Sequence, residues 1–249
     1  MPVRPIEIME KHTYDADKDG RIEKDALKIT LDKLLKGAGA GADPTEIAPF
    51  DILDKFREFI PWVSLDGFTV GGDAGYSISA NVAILYVETA GTANYDAWCR
   101  NNANWYLELT AGKLITFEFP IVYMNSVADV NVWIRMSKFA DVTDPPTETA
   151  NHFGWKIVGV DLYASNADGT TQTITDTGVN LAGGSQRTRL KIVLNPGTDC
   201  KFYVNDVLKV THTANLPTEP NLVFHEHIRT LAAAGKALSI GRFILEKEY

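Results

Sequence analysis

LKIVLNPGTDCKFYVNDVLKVTH, residues 190–212, reads as three antiparallel strands joined by two tight turns, and the fold class follows from it. Asn195-Pro196-Gly197-Thr198-Asp199 is the first turn: Pro presets φ, Gly tolerates φ > 0, and the flanking Asn and Asp can bond nearby backbone. Asn205-Asp206 is the second. Both residue types tolerate the left-handed conformation of a two-residue hairpin loop, so Phe202-Tyr203-Val204 is expected to fold back on Val207-Leu208-Lys209. Closure at Val204 and Val207 would set Phe202 opposite Lys209 and Tyr203 opposite Leu208, leaving neither face cleanly apolar. A bulge or another register stays open.

The same period of two runs through most of the chain after Pro61. VAILYVE (82–88), WYLEL (105–109), LITFEF (114–119), VNVWIRM (130–136), WKIV (155–158), LVFH (222–225) and LSI (238–240) all read as strands. In the clearest of them Val130, Val132, Ile134 and Met136 face one way, and Asn131, Trp133 and Arg135 the other, which is expected to be partly wet. Many short strands separated by Gly, Pro, Asn and Asp turns, with almost no helix among them, favour an antiparallel sandwich over a parallel α/β sheet. Some 188 residues, 62–249, is generous for an immunoglobulin-like domain and suits a jelly roll better.

Upstream the pattern differs. Asp15, Asp17 and Asp19 on alternate residues, then Gly20 and, two further on, Ile22, follow the way a calcium loop wraps oxygens around a hard cation, with Arg21 supplying a backbone carbonyl. The closing bidentate carboxylate of such loops falls at Ala26 here, with Asp25 one place early. Calcium binding and a polar turn whose Asp residues cap the next helix both stand as readings. Leu27, Leu31, Leu34 and Ala38 then follow helical spacing, too briefly for a secure lone helix, so this helix needs the body of the protein or its copies in neighbouring subunits as a partner. A Gly/Ala linker, residues 37–42, closes an N-terminal arm of residues 1–42. A connecting helix is expected within 43–61, with Pro49 in its first turn and Phe50, Leu53, Phe56 and Ile60 on one face.

With 249 residues and an apolar fraction of 45%, the chain can bury a substantial core. A net charge of −8 argues against a general nucleic-acid or anionic-membrane binder, because phosphate contacts need a basic surface. The first ten residues have no signal-peptide pattern and no later run is apolar for long enough to insert in a membrane, so a soluble protein is expected. Cys99 and Cys200, without metal-ligand spacing, read as buried thiols.

CKFYVNDVLKVTHTANLP (200–217), then a strand, then ALSIGRFILE (237–246), resembles the closing strands of concanavalin A-like lectin/glucanase domains, with Asp206 where that hairpin usually has Gly. Phe153-Gly154-Trp155 and Asp168-Gly169-Thr170 fit the same pattern. The resemblance implies a jelly-roll sandwich over roughly 62–249 whose last strand returns to pair near the first. A short Asp-rich turn, a helix and a Gly/Ala linker ahead of such a sandwich resemble the build of tailed-virus appendage proteins, which implies a virion component and homo-oligomers, trimers above all.

Little in the sequence carries catalysis. Glucanases of the resembled fold place carboxylates as Glu-x-Asp-x-x-Glu on one strand, a spacing absent here; Glu108 and Glu118 stand alone on separate strands. His225 and His227, two apart on a strand, share a face and could hold a metal, but they read better as two histidines on a partly exposed strand. The legume-lectin calcium and manganese residues find no counterparts. Trp98, Asn101, Asn102, Asn104 and Trp105 form the best local sugar-binding candidate, since ring faces stack on apolar sugar surfaces while amides bond hydroxyls. The expectation is therefore a non-enzymatic virion structural protein, partnered by its own copies and other virion proteins, with glycan recognition by the sandwich. A free-standing carbohydrate-binding module and a polysaccharide-active hydrolase or lyase are the alternatives.

Overall fold

In chain order the strands are β1 (Lys55–Ile60), β2 (Phe68–Gly72), β3 (Ser77–Asn81), β4 (Ile84–Glu88), β5 (Asp96–Asn101), β6 (Leu107–Glu108), β7 (Ile115–Met124), β8 (Val130–Lys138), β9 (His152–Val158), β10 (Asp161–Ala167), β11 (Gln172–Asn180), β12 (Thr188–Asn195), β13 (Asp199–Val204), β14 (Val207–His212), β15 (Asn221–Thr230), β16 (Ala237–Gly241) and β17 (Phe243–Glu248). They come from a computed structural model that describes residues 55–60, 68–81, 84–101, 107–138, 145–184, 186–241 and 243–248, all within the unit Asp54–Tyr249. The Asp-rich loop with Asp15, Asp17, Asp19, Arg21 and Asp25, the helix after it and the Gly/Ala linker lie outside the described residues.

Two antiparallel sheets result. The nine-stranded one runs β14-β13-β12-β7-β16-β4-β3, with β17 also on β7 and β1 on β17; the eight-stranded one runs β11-β10-β9-β8-β15-β5-β2, with β6 also on β15. Alternation sends one side of each strand into a shared core. In β12, Leu190, Ile192 and Leu194 are buried, while Arg189, Lys191 and Val193 between them are less so. Across the core Phe117 meets Phe153 and Phe224 edge-on, Phe119 meets Phe224, and Trp155 meets Phe202. Cys99 and Cys200 are buried and free, and burial pushes both thiols well above their ordinary pKa.

The 190–212 meander forms β12, β13 and β14 as expected, and the open register resolves into a bulge. Val204 faces Val207 and Tyr203 faces Leu208, but Phe202 pairs with Val210, so Lys209 is skipped. That extra residue returns Phe202 to the core. Asn205 and Asp206 both take positive φ, 49° and 65°, the geometry of a type I′ turn. At the first turn the Thr198 amide donates to the Asn195 carbonyl at 2.9 Å and Gly197 has φ 76°.

Two expectations are corrected. Lys55–Ile60 is strand rather than the end of a helix; it pairs with β17 from Lys55 opposite Glu248 to Ile60 opposite Phe243. Phe56 and Ile60 are four residues apart, a spacing that one face of a helix and one face of a strand both satisfy, so their period could not decide. This pairing also returns the last strand to the first described one. The second correction is the side of β8 carrying Trp133 and Arg135, which is buried rather than wet. The 145–150 loop contributes to that: Trp133 Nε1 donates to Glu148 at 3.0 Å and Arg135 to the Thr147 carbonyl at 3.3 Å.

Candidate ligand site

Side chains that alternate away from the core gather on the outer face of the eight-stranded sheet. Register lines them up in rows. One row crosses Thr69, Arg100, His225, Arg135, Gly154 and Ser165; the next crosses Gly71, Trp98, His227, Trp133, Lys156 and Tyr163. Four rings run across them: Trp98 edge-on to His225 with centroids 6.4 Å apart, His225 to His227 at 6.0 Å, and His227 to Trp133 at 5.3 Å. His225, His227 and Trp133 form a buried floor, and Trp98 is half-buried at its margin.

Trp98 is set by its neighbour. A Cβ on Gly71 would stand 2.3 Å from Trp98 Cζ2 and 2.6 Å from Cε2, so the indole lies over the bare Cα of β2, and only Gly permits it. The Arg100 guanidinium carbon sits 5.4 Å from the Trp98 ring centroid, and the Lys156 ammonium 5.7 Å from that of Trp133.

Polar groups on this face are held in networks. Glu148 accepts from Trp133 Nε1, from Lys156 Nζ at 2.5 Å and from Gln172 Nε2 at 2.8 Å. His152 Nδ1 lies 2.7 Å from the Ala150 carbonyl, which can only accept, so Nδ1 carries the proton and Nε2 accepts from Ser165 Oγ at 2.7 Å. Burial, with Arg135 next in effect, lowers the His152 pKa to about 3. His227 Nε2 donates to Asp96 Oδ1 at 2.6 Å. His225 is held well below its ordinary pKa by burial first, then by Arg135, His227 and Arg100.

The sequence candidates fall in different places. Trp98 is on this face, but Asn101, three residues on, alternates to the other side of β5 and is buried, so the two do not share a site. Asn102, Asn104 and Trp105 lie outside the described residues. His225 and His227 do share a face, buried rather than partly exposed, while Glu226 between them points into the core. Among the described residues no three His, Cys, Asp or Glu side chains are grouped to hold a metal ion. Glu118 is in the nine-stranded sheet, ion-paired to Arg189 at 2.7 Å, and Glu108 is in the eight-stranded one. Arg100 went unremarked in the sequence, and Trp133 and Arg135 were read only as a partly wet face of their strand, although the alternation of β8 already set an aromatic and a cation together on its non-core side.

No family model matches the chain, and no curated protein matches it. Solved structures do. The carbohydrate recognition domain of Emp47p superposes with a TM-score of 0.56 at 8% identity, covering 84% of this chain and 100% of that one. A prokaryotic β-1,3-1,4-glucanase (lichenase) from a mouse hindgut metagenome gives 0.54 at 11% identity over 79% of this chain and 100% of that one. The metal-free carbohydrate recognition domain of Emp46p gives 0.53 at 10% identity over 73% and 88%. The fold is thus the concanavalin A-like lectin/glucanase jelly roll, which lectins and glycoside hydrolases share.

Proposed function

We propose that the chain is a lectin-like, non-enzymatic carbohydrate-binding module whose ligand lies on the outer face of the eight-stranded sheet against Trp98. The observation that carries this is the indole laid over Gly71, half-buried, beside Arg100 and at the end of a row of rings. An indole beside a guanidinium combines a surface for the apolar side of a sugar with hydrogen-bond donors for its hydroxyls, which is what a pyranose needs.

Hydrolysis is poorly served. A glycosidase needs two carboxyl groups about 5–9.5 Å apart flanking the bond. Of the carboxylates on β5, β8, β9, β15 and the 145–150 loop, Asp96 faces outward and is engaged by His227, Glu148 is engaged by Trp133, Lys156 and Gln172, and Glu226 faces the core. The virion reading rested on the order of segments in residues 1–42, outside the described residues, so the lectin-like reading takes its place here. Assembly through that arm is a separate proposal, read by light-scattering mass of the full chain with and without calcium.

The test is a glycan array probed with the full chain and with Trp98→Ala. Binding that the substitution abolishes supports the module. Absence of binding to every glycan, or release of reducing ends from polysaccharides, overturns it.

A further inference from the structure

At one rim of the sandwich the core ends in a lysine. Leu238 on β16 pairs with Val87 on β4 and with Met124 on β7, and all three are buried in the core. Alternation places Lys236, Thr89 and Ser126 on the same side one position further out, so the layer that closes the core there is polar. The backbone holds that layer in place. The Thr89 amide donates to the Lys236 carbonyl at 2.9 Å, the Lys236 amide to Thr89 Oγ1 at 3.1 Å, and the Ala237 amide to Asn125 Oδ1 at 2.9 Å.

Lys236 is 6% exposed. Its ammonium donates to Ser126 Oγ at 3.3 Å, and among the described residues no carboxylate oxygen comes within 4.0 Å of it. The carboxylates closest to this layer in the strands and turns point elsewhere. Glu88 alternates to the outer face of the nine-stranded sheet, where it accepts from the Tyr86 hydroxyl at 2.7 Å, and Asp129 is exposed beyond Ser126 in the 125–129 turn. On the other sheet the Thr230 hydroxyl lies 2.9 Å from the Ala232 and Ala234 carbonyls. A cation withdrawn this far from water is costly unless an anion pairs with it. Its one contact leads outward: Ser126 is partly exposed, and Asn125 and Ala128 of the same turn are exposed.

We propose that Lys236 and Ser126 form a binding site for a small monocarboxylate, which enters beside the 125–129 turn. One carboxylate oxygen accepts from the ammonium, which has three donors and spends one on Ser126. The other accepts from the Ser126 hydroxyl, whose oxygen takes the lysine's hydrogen bond and whose own hydrogen is left to donate. One ammonium balances one negative charge, so a monovalent carboxylate suits the site better than a phosphate or sulfate, whose second charge Lys236 alone does not meet. The carbon end of the ligand finds small or apolar neighbours in Val127, Ala128 and Gly183, the last packed so closely that a Cβ on it would stand 3.0 Å from Ser126 Cα. A short carbon chain is therefore expected. This site is separate from the Trp98 face and does not depend on the sugar reading.

The experiment follows the Ser126 and Lys236 backbone amides of the full chain by NMR while propionate is added, beside titrations with chloride and with phosphate at the same ionic strength. The expected result is a saturable shift with propionate, about tenfold tighter than with either other anion. Lys236→Met keeps the length of the side chain without its charge and is expected to abolish the saturable shift. Ser126→Ala, at a partly exposed turn position that leaves the core untouched, is expected to weaken it about fivefold, the worth of one hydrogen bond. Trp98→Ala should leave it unchanged. A shift that stays linear as propionate rises, phosphate binding as tight as or tighter than propionate, or a saturable shift retained undiminished by Lys236→Met or Ser126→Ala overturns the proposal.

Discussion

Replacing Glu226 by Gln isolates the least expected side chain of the core. Glu226 is 0% exposed, neither carboxylate oxygen has a hydrogen-bond partner, and its register neighbours are Cys99 on β5 and Ile134 on β8. Burial therefore drives its pKa well above the ordinary glutamate range. The folded state holds the proton to higher pH than the unfolded chain does. Its contribution to stability is then intact below the unfolded value, about 4.3, and is lost as pH rises toward the folded one. The slope for one proton is about 1.4 kcal/mol per pH unit, so the folded form surrenders up to about 2.7 kcal/mol between pH 5 and pH 7. In a domain of this size that corresponds to roughly 5–11 °C in Tm. Gln keeps the shape and cannot ionise. The assay is urea unfolding of both proteins at pH 5, 6 and 7, reading the difference in stability at each. Glu226→Gln should gain on the natural protein at each step upward; a difference that stays constant within about 0.5 kcal/mol would refute the reasoning. The Cys99 thiol, raised by burial, stays neutral throughout and drops out.

Other substitutions test other layers. Gly71→Ala would drive its Cβ against the Trp98 ring, and should cost glycan binding tenfold or more on the array while circular dichroism keeps its β signature. Phe202→Ala removes a fully buried ring that packs on Trp155, and should cost about 3–5 kcal/mol in denaturant unfolding. Gly197→Ala has open space but a φ of 76°, so a loss of about 1 kcal/mol is expected from backbone conformation alone. His152, lowered to about 3, contributes stability that is whole above the unfolded value near 6.5 and is lost as pH falls toward 3; His152→Gln should flatten that acid limb of the stability profile.

The meander of 190–212 was legible because each turn residue has a conformational reason to be there, and Asn205-Asp206 adopts the φ values those residues tolerate. The bulge at Lys209 was readable only as a conflict, two faces neither of which was apolar, and the core resolved it by claiming Phe202. Lys55–Ile60 was misread because six residues with apolar positions four apart satisfy both periods; the partner strand, nearly 190 residues away, decided it. The candidate site was half legible. Trp98 carried a visible signal, but Arg100, His225 and Arg135 come from three strands spread over the chain, and only register sets them in a row. A linear sequence does not contain that adjacency.

The pairing of β1 with β17 also sets how the sandwich bears load. Lys55 and Glu248 face each other at the same end of an antiparallel pair, so tension applied through those two points pulls the strands apart from one end. Their hydrogen bonds then break in succession, as in a zipper, instead of resisting together in shear. Because β17 is also bonded to β7, from Ile244 opposite Glu118 to Lys247 opposite Ile115, the first strand can peel while the last stays seated. Pulled through Lys55 and Glu248, the domain would therefore lengthen in small steps at low force, and the eight-stranded sheet, which contains neither β1 nor β17, would be the last region to feel the strain.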